Sequence, residues 1–152
     1  MKRYAFILMG LVGITLFSCR TAQNAPRDAS IVYQRTACFG TCPIYSLTIT
    51  GQGEATFEGK RFTEKIGAFT KQLSKDETKS LFRTLNAQDW ASLDSIYPSQ
   101  ISDLPSTVFA FRYKKTNKEV VVTGEHPASL DVVSKLLSEI AESDGWTSTI
   151  TE

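Results

Sequence analysis

Cys38 and Cys42 stand in the run Cys38-Phe39-Gly40-Thr41-Cys42-Pro43, and apart from Cys19 they are the only cysteines in the 152-residue chain. In an oxidising compartment an even pair reads first as a disulfide. Gly40 is expected to take a positive φ and curl the two side chains together. Closing so small a loop restricts the unfolded chain by about 2 kcal/mol in the entropy model, so the bridge would be a local clasp. The pair has a second chemistry. A thiol redox role needs one exposed sulfur with a lowered pKa, although three residues separate these cysteines instead of the two of a Cys-x-x-Cys motif. Thiolates also hold soft metals, and the one histidine, His126, forms with Cys38 and Cys42 the only candidate soft triad. Phe39, between the cysteines, is the candidate for partner contact if the loop presents an apolar patch.

The Cys-x-x-x-Cys-Pro run resembles the copper site of the Sco-type copper chaperones, in which a distant histidine completes the ligand set. That resemblance covers six residues. It implies a copper-handling alternative in which Cys38, Cys42 and His126 are the ligands. Those chaperones have a thioredoxin-like alternation of β and α elements, which this sequence does not show. His126 itself, in Glu125-His126-Pro127, reads as a loop histidine ahead of a helix. No serine lies in a nucleophile-elbow context, and Walker, Rossmann, His-Glu-x-x-His and paired-carboxylate signatures are absent. Asp103 reads as a turn former and Lys114-Lys115 as a solvated hairpin tip. No catalytic residue and no cofactor is expected outside the copper alternative.

Cys19 has a different context. Lys2 and Arg3 precede an apolar run from Ala5 to Phe17. That run is too short for a spanning helix, which needs about 20 apolar residues, and has the length of a signal-peptide core. It ends in Leu16-Phe17-Ser18-Cys19, which resembles the bacterial lipobox. The resemblance implies cleavage before Cys19 and lipidation of its thiol, with residues 1–18 a signal and 19–30 a lipidated cysteine with a polar tether. Acyl chains contribute about 0.8 kcal/mol per buried methylene, so a multiply acylated cysteine anchors stably in a bilayer. No acidic cluster, which in some bacteria directs lipoproteins to the cell surface, follows Cys19. The expected location is therefore the periplasm-facing side of the outer membrane.

The remainder, 31–152, has the size of one domain with a real core, and an apolar fraction of 41% fits a globular unit. Removing the signal takes away Lys2 and Arg3 and turns a net charge of +1 into one near −1. That excludes the basic field that nonspecific nucleic-acid binding needs.

The elements that must position the cysteines follow from periodicity. Ile31-Val32-Tyr33 is β-prone. Tyr45, Leu47 and Ile49 alternate with polar residues as on a half-buried strand. Ala55 and Phe57 continue the alternation, Gly59-Lys60 reads as a tight connection, and Phe62 to Phe69 as the next strand. Ser74-Lys75-Asp76-Glu77 fits a capping box and predicts a helix over Lys75 to Ala87. Ser95 to Ser106 reads as a long connection. Thr107 to Tyr113 and Val120 to Val122 form a hairpin, with Lys114 to Asn117 turning between them. A last helix begins near Leu130, with Val133, Leu136, Leu137 and Ile140 on one stripe. Gly145 ends it and Trp146 packs back. The expected fold is α+β, an antiparallel sheet of about five to six strands, meander plus C-terminal hairpin, with two helices on one face.

The run from Arg35 to Ile49, with its Cys38-Phe39-Gly40-Thr41-Cys42-Pro43 centre, resembles the opening motif of an uncharacterised bacterial family, domain of unknown function number 6438. Ala55 to Phe57 with Gly59, Asp103-Leu104-Pro105 and a closing amphipathic helix extend the similarity over Ile31 to about Trp146. The family is common in envelope proteins of Bacteroidetes and relatives. The resemblance implies domain limits and an envelope location, and brings no established activity. The expected function is that of a lipid-anchored, non-enzymatic envelope domain that binds an unidentified protein or ligand, with a thiol redox or copper-handling role as the alternative.

Overall fold

The computed structural model describes residues 25–149. The expected signal, Cys19 and most of the expected tether lie outside the described residues. Eight strands and two helices follow in the order β1 (Ser30–Arg35), β2 (Ile44–Thr50), β3 (Glu54–Arg61), β4 (Gly67–Gln72), α1 (Lys75–Ala87), β5 (Ile96–Tyr97), β6 (Thr107–Tyr113), β7 (Thr116–Val122), α2 (Ala128–Glu142) and β8 (Thr147–Ser148). They make one sheet in the order β5-β7-β6-β1-β2-β3-β4-β8. Every pairing is antiparallel except β5 with β7. The α+β class and the meander of β1 to β4 are as the alternation predicts.

The strand count is higher than five to six because β5 and β8 are two residues each, too short to show a period. β5 arises inside the stretch read as a connection. It exists because the chain passes the open edge of β7, where the Val121 and Thr123 amides donate to the Ser95 and Tyr97 carbonyls.

The strands bury one face. Ile31 and Tyr33, Tyr45, Leu47 and Ile49, Ala55 and Phe57, Phe109 and Phe111, and Val120 and Val122 turn into the core, as period-2 alternation requires. The helices lie over that face. From α1 come Leu81, Phe82 and Leu85, with Phe82 stacked on Tyr113; from α2 come Leu130, Val133, Leu137 and Ala141. The Tyr33 hydroxyl bonds Ser134 and Ser138 of α2 at 2.8 and 3.1 Å, fixing that helix to the sheet centre.

The capping box at Ser74 is complete. The Ser74 amide donates to Glu77 Oε2 at 2.8 Å and the Glu77 amide to Ser74 Oγ at 3.2 Å. These bonds hold the Glu77 carboxyl below its usual pKa. Helix α2 starts earlier than expected, after Pro127, and has no side-chain cap. Trp146 packs back as expected, 5.7 Å from the Phe57 ring.

Three local expectations are corrected. Gly59-Lys60 is not a connection: β3 runs through it, and Gly59 is buried opposite Gly67. A side chain there would fall on the Lys65 carbonyl oxygen and 2.9 Å from the Phe57 ring, so the glycine serves close approach instead of a turn. The actual turn is 62–66, and β4 begins only at Gly67. Between β6 and β7 the turn is just Lys114-Lys115, with Lys114 at a φ of 54°. The folded unit also begins before Ile31: Ala29 is buried, its amide bonds the Pro26 carbonyl, and the Gly51 amide bonds the Ala29 carbonyl.

Candidate functional site

The register brings four connections to one end of the sheet. Arg35 at the end of β1 faces Tyr45 in β2 and Thr107 in β6, and Thr107 faces Val122 at the end of β7. Ile44 faces Arg61 at the end of β3. The loops 36–43, 62–66, 98–106 and 123–127 therefore share this apex, and Ser30, where β1 starts, lies at the opposite end.

Hydrogen bonds join three of the apex loops, 36–43, 98–106 and 123–127. The Phe39 amide donates to the Asp103 carbonyl at 3.2 Å, and the Thr36 amide to the Ser106 carbonyl at 3.0 Å. The Ser106 amide returns a bond to Thr36 Oγ1 at 2.8 Å, and the Ser106 and Thr123 hydroxyls meet at 2.8 Å. Asp103 has a φ of 67°, the left-handed conformation that aspartate tolerates, and is the turn former the sequence indicates.

Cys38 and Cys42 are joined in a disulfide, with Cα atoms 5.8 Å apart. Gly40 does not take a positive φ; among the described residues the glycines that do are Gly53, Gly67 and Gly145. The bend over 39–41 closes with ordinary backbone angles. Phe39 stands on this clasp 93% exposed. Replacing both cysteines by serine is expected to cost about 2 kcal/mol at most, read by urea unfolding. The near-ultraviolet signal of the buried Trp90 should persist, because that ring packs on Phe111, toward the end of β6 away from the clasp.

Phe39 is not alone. Among the described residues seven large apolar side chains are exposed, and five of them, Phe39, Phe62, Ile66, Ile101 and Leu104, belong to the apex loops. Phe62 has a φ of 55°, a region a bulky residue avoids and that costs about 1–3 kcal/mol. Its ring lies beneath the Arg61 guanidinium at 5.0 Å. Beside the cysteine loop, Pro43, Tyr45, Phe57, Phe62, Lys65 and Ala141 enclose a cavity of about 320 Å³. Burial pushes the Tyr45 phenol up to about 12, so it stays protonated, and its hydroxyl lies 3.4 Å from the Ser138 hydroxyl. A second groove of about 310 Å³ runs between the helices over Leu73, Leu81, Leu136 and Ile140.

Phe39 was legible as a candidate from its place between two cysteines. By sequence, Ile101 and Leu104 read only as residues of a long connection and Phe62 as the start of a strand. The signal for Phe62 lay in the polar residues Thr63-Glu64-Lys65 that follow it, a turn composition.

His126 occupies loop 123–127. Its Nδ1 lies 2.7 Å from the Gly124 carbonyl oxygen and its Nε2 3.0 Å from Asp131 Oδ1. Cys38, Cys42 and His126, the ligand set of the copper alternative, are not gathered: no group of three or more His, Cys, Asp or Glu suited to a metal occurs among the described residues. The sulfurs are bonded to each other and both imidazole nitrogens have protein partners.

Two acceptors face the ring, so only the imidazolium satisfies both. The Gly124 carbonyl, and then Asp131, raise the His126 pKa against the opposing effect of burial. The folded state thus binds this proton more tightly than the unfolded chain. Its contribution is full below the unfolded value of about 6.5 and is lost as pH rises through the folded value. Urea midpoints measured from about pH 5 to pH 8 are expected to fall with rising pH in the wild type, and His126→Gln should remove that slope.

The fold and its apex define a small, open-faced α+β domain whose helices cover one side of the sheet and whose braced loops present apolar side chains at one end. More particularly, the chain belongs to the family described as Domain of unknown function (DUF6438), whose model matches residues 29–141. That match starts at Ala29, in agreement with the early start of the fold. No curated protein matches the chain.

Proposed function

We propose that this protein is a lipid-anchored, non-enzymatic domain of the bacterial cell envelope that binds a partner protein through the apex loops. The observation that carries the reading is the set of five exposed apolar side chains at one end of the sheet, with Phe39, Ile101 and Leu104 on loops joined by backbone hydrogen bonds and Phe62 and Ile66 on the 62–66 turn. A contiguous exposed apolar patch on a braced scaffold is what a docking surface requires, because a preorganised loop loses little freedom when it is covered.

The Leu16-Phe17-Ser18-Cys19 sequence supports the anchor. β1 runs away from the anchor side, and its six residues separate Ser30 from the apex by about 20 Å. A lipid on Cys19, joined by a short tether to Ala25, holds the base of the sheet toward the membrane and turns the apex toward the periplasm. The periplasm-facing leaflet is the proposed side because no acidic cluster, which directs some lipoproteins to the cell surface, follows Cys19.

Two measurements test this. Fractionation of cells carrying Cys19→Ala should move the protein from membrane to soluble fractions, and unchanged membrane association would sink the anchor. Crosslinked envelopes should yield an adduct with wild type that Phe39→Ala reduces; equal recovery from both would sink the apex as the binding surface.

A further inference from the structure

The end of the sheet opposite the apex is basic. Ser30 begins β1 there and faces Arg112 in β6, so the β6–β7 turn lies beside the segment through which the chain enters the domain. The hairpin carries Arg112, Lys114, Lys115 and Lys118 against the single acid Glu119. Helix α1 adds to them. Its Glu77, Ser80, Leu81 and Thr84 face α2 across the groove, so helical periodicity turns Lys75 and Lys79 to the opposite flank, with Arg83 beside them. That flank is on the hairpin's side, since Phe82 stacks on Tyr113 at the end of β6. The Lys114 Nζ stands over the same Tyr113 ring, 5.5 Å from its centre.

The near-neutral charge of the domain therefore conceals a separation. With Arg27, the base holds eight basic groups against five acidic ones, Asp28, Glu54, Asp76, Glu77 and Glu119. The rest of the described chain, apex included, holds six basic against ten acidic groups. Among the described residues the ion pairs are His126–Asp131 and Lys135–Glu139, so no base cation is tied to a carboxylate. Glu77 is itself occupied by the Ser74 amide. The base exposes no large apolar side chain: of the seven exposed among the described residues, five are at the apex, and the others are Ile96 in β5 and Val132 in α2. A face of this kind meets a charged surface without entering it.

We infer that the base is a docking surface for anionic phospholipid headgroups, which seats the domain upright on the leaflet that holds its lipid. This rests on the reading of Cys19 as the anchor and names what the base touches. Five residues separate Cys19 from Ala25, a reach of at most about 20 Å, so the anchor delivers the basic face to the headgroups. The attraction there grows with each lysine or arginine brought near the surface and fades within a Debye length. A lipid on one flexible segment fixes position alone. A second, electrostatic contact at the same end selects an orientation, with the apex loops facing away. A nucleic acid or an acidic protein would match the charge, but neither accounts for its place beside the anchor.

The test uses the full chain, purified in detergent from expressing cells and diluted into preformed vesicles. One set is phosphatidylcholine alone, and in the other a third of the lipid is phosphatidylglycerol. Flotation reads binding, and mass spectrometry reads acylation of each lysine by a soluble active ester. The chain should float with both sets. With phosphatidylglycerol, acylation of Lys114 and Lys115 should slow by about fivefold, the factor to which the attraction of one cation to an anionic leaflet amounts. Lys60 and Lys135, away from the base, should react alike in both, and about 0.5 M sodium chloride should abolish the difference. The double variant Lys114→Glu, Lys115→Glu changes two exposed turn residues, so it should fold and float as wild type, while Lys75 loses its protection. Equal acylation on the two vesicle sets, with flotation on both, overturns the basic face and leaves the anchor standing. Protection of Lys60 in place of Lys114 and Lys115 overturns the orientation. Flotation with phosphatidylglycerol alone supports the basic face and overturns the lipid on Cys19, and flotation with neither overturns both.

Discussion

Gly59→Ala is expected to destabilise the domain by about 3 kcal/mol, at the upper end of what overpacking usually costs, and to do so by prising open the β3–β4 hairpin. A methyl group at this position falls on the Lys65 carbonyl oxygen and lies 2.9 Å from the Phe57 ring. The first obstacle is backbone, which cannot rotate aside as the end of a flexible side chain would. Relief requires the turn 62–66 to lift from β3, and that turn carries Phe62 and Ile66. The loss of stability should therefore be accompanied by a loss of apex contacts. Urea unfolding gives the first quantity, and recovery of the adduct from crosslinked envelopes gives the second. A midpoint within error of wild type would show that the hairpin has room that its geometry denies. The contrast with Phe39→Ala is useful, because a residue this exposed should change stability by no more than about 0.5 kcal/mol.

Phe111→Ala should cost more, about 3–5 kcal/mol, as expected when a buried phenylalanine is cut back and its surroundings relax only in part. Phe111 is 1% exposed. Its ring stacks on Trp90 at 4.8 Å and on Tyr113 at 6.0 Å, and on the sheet it faces Ile31 of β1. Trp90 in turn donates its indole N–H to the Leu85 carbonyl at 2.7 Å, which ties the segment after α1 back to the helix end. Removing Phe111 thus opens a void under both the helix end and the segment leading to β5. Since domains of this size are stable by about 5–15 kcal/mol, the variant should sit close to its unfolding threshold. Thermal and urea unfolding, followed by the near-ultraviolet signal of Trp90, measure this directly. Retention of that signal and of the wild-type midpoint would mean that the tryptophan is held by contacts other than this stack.

Much of the fold can be read from the chain because its cues are local and agree with one another. Tyr45, Leu47 and Ile49 alternate with Ser46, Thr48 and Thr50, and that pattern can bury only one face of a strand. Ser74 and Glu77 sit at the spacing that closes a capping box, and α1 begins at Lys75 as they dictate. The stripe Val133-Leu137 with Leu130 gives α2, although its first turn, uncapped behind Pro127, left no local signal. Where one residue type serves two purposes the reading failed. Gly59 looks like a turn glycine, yet it is the partner of a close backbone approach from Lys65, fifty-ninth and sixty-fifth residues meeting across a hairpin. Gly40 looks as though it should curl the cysteine loop, and the bend closes without a left-handed residue.

The candidate site divides in the same way. The sequence by itself determined the paired cysteines with Phe39 between them and the meander that carries them. It determined these because each depends on neighbours within a few positions, where spacing and side-chain chemistry are sufficient. Only the tertiary structure decided that Phe39, Phe62, Ile66, Ile101 and Leu104 share one end of the sheet, that a cavity opens beside the clasp, and that His126 is held by Gly124 and Asp131 apart from the sulfurs. Those facts depend on strand order and register. β6 pairs with β1 across more than seventy residues of chain, and no local pattern specifies which strands become neighbours. That choice is made by the burial of one shared apolar face, to which β1, β2, β3, β6, β7 and both helices contribute at once.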